Sequence, residues 1–142
     1  MEFQEFVEKS QALEMTYHVT REVYELFKKC SNDLNPLHTN KEFANKKGFP
    51  ECVMYGNIMN AFVSHFVGMA LPSPDVMIQT QDIQFRKPIY LNDEIIIKAT
   101  SEDVSEAVGI VNFKLKFYRT SDIKPELVAT GHVQIGMLYD KK

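Results

Sequence analysis

Val53-Met54-Tyr55-Gly56-Asn57-Ile58-Met59-Asn60-Ala61-Phe62-Val63-Ser64-His65-Phe66-Val67-Gly68-Met69-Ala70-Leu71 is a run of nineteen residues without a formal charge. That length and polarity suit a membrane span, but the polar residues are not scattered. At about 100° per residue, Ile58, Met59, Phe62, Val63, Phe66, Met69 and Ala70 share one broad face, and Asn57, Asn60 and Ser64 form a narrow stripe opposite. The spacing predicts a buried helix with one polar edge. Ser64 and His65 point about 100° apart on such a helix and form no nucleophile–base dyad; His65 belongs to the rim or is a satisfied core residue. Gly56, at the amino-terminal end, has two readings that its neighbours leave open. It is either a glycine for close packing, or one that lets an anionic ligand approach a backbone N–H where the helix dipole favours negative charge.

Downstream, Leu71-Pro72-Ser73-Pro74-Asp75 breaks the helix and strands follow. Met77 to Phe85 is the first, and Glu94 to Thr100 carries the β-branched run Ile95-Ile96-Ile97. Val111, Phe113, Leu115 and Phe117 then alternate with Asn112, Lys114 and Lys116. In the last strand Leu127, Ala129, Val133, Ile135 and Met137 face one way, and Thr130, His132 and Gln134 the other. His132 is a polar-face residue on this reading, as is His18.

Upstream, Leu13, Met15, Tyr17 and Val19 alternate with Glu14, Thr16 and His18, the two-residue period of a half-buried strand. Thr20 is placed to cap a helix through Val23, Leu26, Phe27 and Cys30. Thr39-Asn40-Lys41-Glu42 has the spacing of a capping box, and Gly48 before Pro50 ends the helix anchored by Phe43 and Ala44. One strand, short helical pieces, one long helix and four successive strands predict an α+β chain whose antiparallel β-sheet wraps around one long central helix. An exposed sheet edge beside a helix end predicts a homodimer with the site near the interface.

Between the short helices lies Ser31-Asn32-Asp33-Leu34-Asn35-Pro36-Leu37-His38. Proline fixes its own φ and keeps Asn35 out of the helical region, so Asp33 and His38 sit on a bent segment where two side chains can converge on one water. The same residues read equally as an Asx-turn followed by a surface histidine.

Composition narrows the function. The chain has 142 residues, 44% hydrophobic and 25% charged, and is expected to form one domain over 1–142. A net charge of −3 and the lack of an aromatic–basic pattern argue against nucleic acid. The start, Met1-Glu2-Phe3-Gln4-Glu5, lacks the basic-then-apolar order of a signal peptide, and Cys30 and Cys52 match no zinc or redox spacing. The expectation is a cytoplasmic protein with reduced thiols.

These residues resemble the MaoC-like or (R)-specific enoyl-CoA hydratases of the hot-dog fold, also called hydratase 2. The signature of that family is met by Phe27, Ser31, Asp33, Asn35, Pro36, Leu37, His38 and Ala44. Gly48-Phe49-Pro50, Tyr55-Gly56, Leu71-Pro72, and Phe85-Arg86-Lys87-Pro88-Ile89 with Asp93 extend the similarity over roughly residues 20 to 138. The resemblance implies a single hot-dog domain that hydrates trans-2-enoyl thioesters, or dehydrates the 3-hydroxyacyl form. Asp33 and His38 would activate water and the Gly56 N–H would face the thioester oxygen, with no metal and no redox cofactor. Asn35 would orient the loop or the water, and Ser64 would support Asp33 or line the pocket. Arg86 and Lys87 are candidates for the phosphates of coenzyme A or a carrier protein's phosphopantetheine. The chain departs from the pattern at Cys30, Asn32, Tyr55, Asn57 and Asn92. Tyr55 and Asn57 flank the oxyanion glycine, where they would narrow or polarise the pocket, and the polar stripe of Asn57 and Asn60 points to a short or polar acyl group. Two other functions fit the residues: a hot-dog thioesterase, and a non-catalytic acyl-thioester binder.

Overall fold

The computed structural model describes residues 1–142. In chain order the elements are α1 (Phe3–Lys9), β1 (Ala12–His18), α2 (Arg21–Ser31), α3 (Pro36–Thr39), α4 (Lys41–Lys46), α5 (Ile58–His65), a π-helical continuation (Phe66–Ala70), β2 (Val76–Phe85), β3 (Glu94–Ser105), β4 (Ile110–Arg119) and β5 (Glu126–Met137). The strands form one antiparallel sheet in the order β1-β3-β4-β5-β2. Ile95, Ile97, Phe113, Leu115, Phe117, Val133 and Ile135 of the sheet share one core with Ile58, Met59, Phe62, Val63 and Phe66 of the central helix. This is the sheet around a central helix anticipated from the order of elements, and the hot-dog fold that the resemblance implies. No helix is long and apolar enough to cross a membrane.

Three local expectations change, and one element is added. The cap of α4 is Asn40, whose side chain accepts from the Phe43 N–H at 3.0 Å, while Thr39 turns its hydroxyl back to the Asn35 carbonyl. Asn40 alone has the extended backbone that a cap requires. Met69 leaves the apolar face and is 74% exposed, and Val67 takes its place in the core. The π-turn explains the exchange, because each of its residues advances less far around the axis than in an α-helix. In β5 a register shift opposite Phe117 and Tyr118 buries Val128 beside Ala129, so strict alternation fails there. The amino-terminal residues are structured too: Phe6 is fully buried, with Phe3 and Val7 beside it at helical spacing.

Asn32 and Asn92, two departures from the resembled pattern, hold φ of 54° and 73°. Asparagine tolerates the left-handed region better than most residues, so at Asn92 it does the backbone's work where glycine is usual.

Behind the turn that follows β2 lies a charged cluster. The Arg119 guanidinium donates to the Pro88 carbonyl at 2.9 Å, Asp93 at 3.0 Å and Glu126 at 2.7 Å, and Lys87 donates to Glu126 at 2.8 Å. Hydrogen bonds from Lys87 and then Arg119 pull the Glu126 carboxyl down to about 2. A carboxyl lowered on folding stabilises the fold above its ordinary value near 4.5, and that contribution is lost as pH falls through about 2. The melting temperature of Glu126→Gln is therefore expected to lie below that of the natural protein at pH 7, with the gap closing in melts taken between about pH 5 and pH 2. A gap that stays constant over that range contradicts the assignment.

Candidate active site

Ser31-to-His38 folds as two overlapping turns. The Asp33 Oδ1 accepts the Asn35 N–H at 3.0 Å, and the Asn35 Oδ1 accepts the Leu37 N–H at 2.9 Å, capping α3 with Pro36 in its first position. The Asx-turn exists, but the histidine after it is largely buried rather than on the surface, and the turn brings the Asp33 side chain close to it. Asp33 Oδ2 lies 3.8 Å from His38 Nε2, with the Asp33 side chain 44% exposed and that of His38 16% exposed.

The other ring nitrogen fixes the histidine. His38 Nδ1 is 2.7 Å from the Val53 carbonyl, and the Val53 N–H donates to the Leu37 carbonyl at 3.1 Å. A carbonyl only accepts, so Nδ1 carries a proton, and in the neutral tautomer this leaves a lone pair at Nε2. Asp33 Oδ2 and His38 Nε2 are then two acceptors separated by more than a direct hydrogen bond, a geometry that one water donating to both satisfies.

His38 and Gly56 line the same pocket, a cavity of about 360 Å³ walled by Phe49, Val53, Met59, Phe85 and Ile89. Gly56 lies in the turn that leads into α5, where the Ile58 N–H bonds to the Tyr55 carbonyl and the Met59 N–H to the Gly56 carbonyl. The Gly56 N–H itself has no protein acceptor. A Cβ added at Gly56 would stand 3.0 Å from the Phe85 ring, which is the close-packing reading of this glycine.

The remaining candidates separate. Arg86 and Lys87 reach the pocket mouth, but the Arg86 Nε–H is given to Thr130 and Lys87 is paired with Glu126. Ser64 is exposed on α5 and bonds to neither Asp33 nor the pocket wall, so the support implied by the resemblance has no contact within this chain. Asn57 is also exposed: its side chain accepts from Asn60, which accepts from Gln81 of β2. Tyr55 is 2% exposed and lies behind His38 rather than in the cavity. Tyr55, Asn57 and Asn60 all lie outside the pocket lining, so the polar stripe that motivates a short or polar acyl group does not face the cavity. Sequence reasoning missed Phe85 as a wall over Gly56, although its place in Phe85-Arg86-Lys87-Pro88 had been noticed.

A model of the MaoC like domain matches residues 2–118. The chain belongs to the MaoC-like domain family. Among relatives of this MaoC-like chain, the (R)-specific enoyl-CoA hydratase of Rhodospirillum rubrum is 24% identical over 110 residues, which cover 78% of this chain and 76% of the relative. The mitochondrial 3-hydroxyacyl-[acyl-carrier-protein] dehydratase FERN of Solanum lycopersicum is 30% identical over 91 residues, 64% of this chain; the MaoC-like chain matches about half (50%) of that relative's length. In three dimensions the unliganded R-hydratase PhaJ1 from Pseudomonas aeruginosa superposes with a TM-score of 0.83 at 22% identity, covering 97% of this chain and 86% of that one. At that identity the superposition speaks for the hot-dog fold alone.

Proposed function

We propose that the chain adds water to trans-2-enoyl thioesters with (R) configuration, or removes it from (3R)-3-hydroxyacyl thioesters, on coenzyme A or a carrier protein. The observation that carries the reading is the pair of acceptors, Asp33 Oδ2 and His38 Nε2, beside a pocket lined by Gly56, whose N–H has no protein acceptor. Water held between the two acceptors is oriented with its oxygen free to attack C3. Nε2 takes one proton from that water as the C3–O bond forms, and the imidazolium stands beside the Asp33 carboxylate. The enolate is protonated at C2 by the same imidazolium, so one water is added and both side chains return to their starting state. Meanwhile negative charge on the thioester oxygen is met by the Gly56 N–H; in other enzymes loss of such a donor costs about 2.7–4 kcal/mol of barrier.

The relatives' names support the same chemistry, since one is a hydratase of enoyl-CoA and the other a dehydratase of acyl-carrier-protein substrates. In this reading the protein acts as a homodimer. The half-open position of Asp33 and the unpaired edge of β2 favour closure by a second copy. The test follows crotonyl-CoA with two readouts at once, the conjugated-enoyl absorbance and free thiol. Loss of absorbance without thiol is the expected result. Thiol released with the absorbance intact would make the protein a thioesterase, and neither change, with longer and carrier-bound enoyl thioesters also tried, would make it a binder.

A further inference from the structure

Tyr55 stands where the resembled pattern has histidine, and it makes three kinds of contact at once. Its hydroxyl donates to the main-chain carbonyl of Asp33. Its ring lies 4.2 Å from the His38 ring, tilted by 33°, and on other sides meets Phe27 at 4.9 Å and Tyr24 at 5.7 Å. Its own peptide runs directly into Gly56. The second tyrosine extends the arrangement, because the Tyr24 hydroxyl donates to the His38 carbonyl at 2.7 Å. Burial first, then the neighbouring Tyr24 and the Asp33 charge, hold the Tyr55 phenol above its ordinary value, so it remains a donor through neutral pH.

We infer that Tyr55 is the positioning residue that sets the gap between Asp33 and His38. The inference rests on the hydratase reading and deepens it. The Asp33 segment is the exposed part of the site: the Asp33 N–H is held by the Ser31 side chain at 3.2 Å and its carboxylate by the Asn35 N–H at 3.0 Å, both within the same loop. The Tyr55 hydroxyl thus makes the hydrogen bond that ties the Asp33 main chain to another part of the fold. His38, in contrast, is fastened at Nδ1 and at its carbonyl. Fixing the loose partner against the fastened one is therefore the task left to Tyr55. The ring supplies the wall against which the imidazole lies, and the hydroxyl supplies the reach to Asp33. Because the Tyr55 side chain does not line the cavity, it acts on the reacting groups through these two neighbours, while its main chain carries the peptide shared with Gly56.

Tyr55→Phe separates the two parts, keeping the ring and removing only the hydroxyl. Steady-state hydration of crotonyl-CoA is expected to show kcat lowered about tenfold to a hundredfold, the scale of a small misplacement of a catalytic group, with KM within about twofold. In an Asp33→Asn background the same substitution is expected to cost almost nothing further, since it acts through Asp33. Tyr55→Leu, which also removes the ring behind His38, is expected to lose more. Amide exchange at Asn35 and Leu37, whose N–H groups report the Asp33 turn, is expected to accelerate in Tyr55→Phe. A rise in KM alone, an equal loss in the Asp33→Asn background, or unchanged exchange overturns the inference. A natural protein inert toward every enoyl thioester overturns the hydratase reading instead, and amide exchange still judges the hold of Tyr55 on the loop.

Discussion

Asp33→Asn and His38→Ala are each expected to lower kcat for hydration by about 10²–10⁴, the usual range for removing a positioned acid or base. The two substitutions are informative because the structure predicts little damage to the fold. Asparagine at 33 keeps an oxygen to accept the Asn35 N–H, so the Asx-turn survives while the charge goes. Alanine at 38 leaves the Val53 carbonyl without the Nδ1–H, but both residues line the cavity, so water can replace it. What disappears in each case is one of the two acceptors that orient the attacking water. The losses are not expected to multiply in the double variant, since both groups act on the same molecule. Kinetics alongside thermal melts check this. Folded variants that retain kcat within about tenfold would place the chemistry elsewhere.

Gly131→Ala is expected to have the largest effect on stability, about 3 kcal/mol or more, lowering the melting temperature by about 10 °C. Gly131 lies in β5 between Ile83 of β2 and Leu115 of β4. A Cβ there would collide with the Asp82 carbonyl oxygen and come within 3.1 Å of the Ile83 Cα. Those atoms are backbone, so relief requires β2 and β5 to part rather than a side chain to turn. Because β2 ends at Phe85, over Gly56, separation also disturbs the pocket wall. Gly68→Ala is the control: nothing lies within 4 Å of its added Cβ, and its melting temperature is expected to stay close to that of the natural protein. A Gly131→Ala protein as stable as the natural one would mean that the β2–β5 contact is looser than described.

The long helix, the strands and the Asp33–His38 stretch were legible because each is written in local spacing. Alternation marks Val111 to Phe117 and helical spacing marks Ile58 to Phe66. A proline between an acid and a histidine marks the loop. What escaped depends on contacts between distant segments. Tyr55 and Asp33 are 22 positions apart, and nothing near either says that one hydroxyl holds the other's carbonyl. Nor did spacing indicate that Phe85 packs on Gly56 or that β5 shifts register at Val128. The exposure of Met69 follows from a π-turn that a regular helical wheel does not contain. Ser64 was placed by resemblance rather than by contact, and within one chain it reaches no partner in the site. The helix at Phe3–Lys9 carries a local signal too, the spacing of Phe3, Phe6 and Val7, but it is short.

The most direct test of the central claim is chiral analysis of the product that the natural protein forms from crotonyl-CoA and water, with the folded Asp33→Asn variant beside it. The account predicts (3R)-3-hydroxybutyryl-CoA from the natural protein and almost none from the variant; a (3S) product, no hydration, or equal yields from both would contradict it.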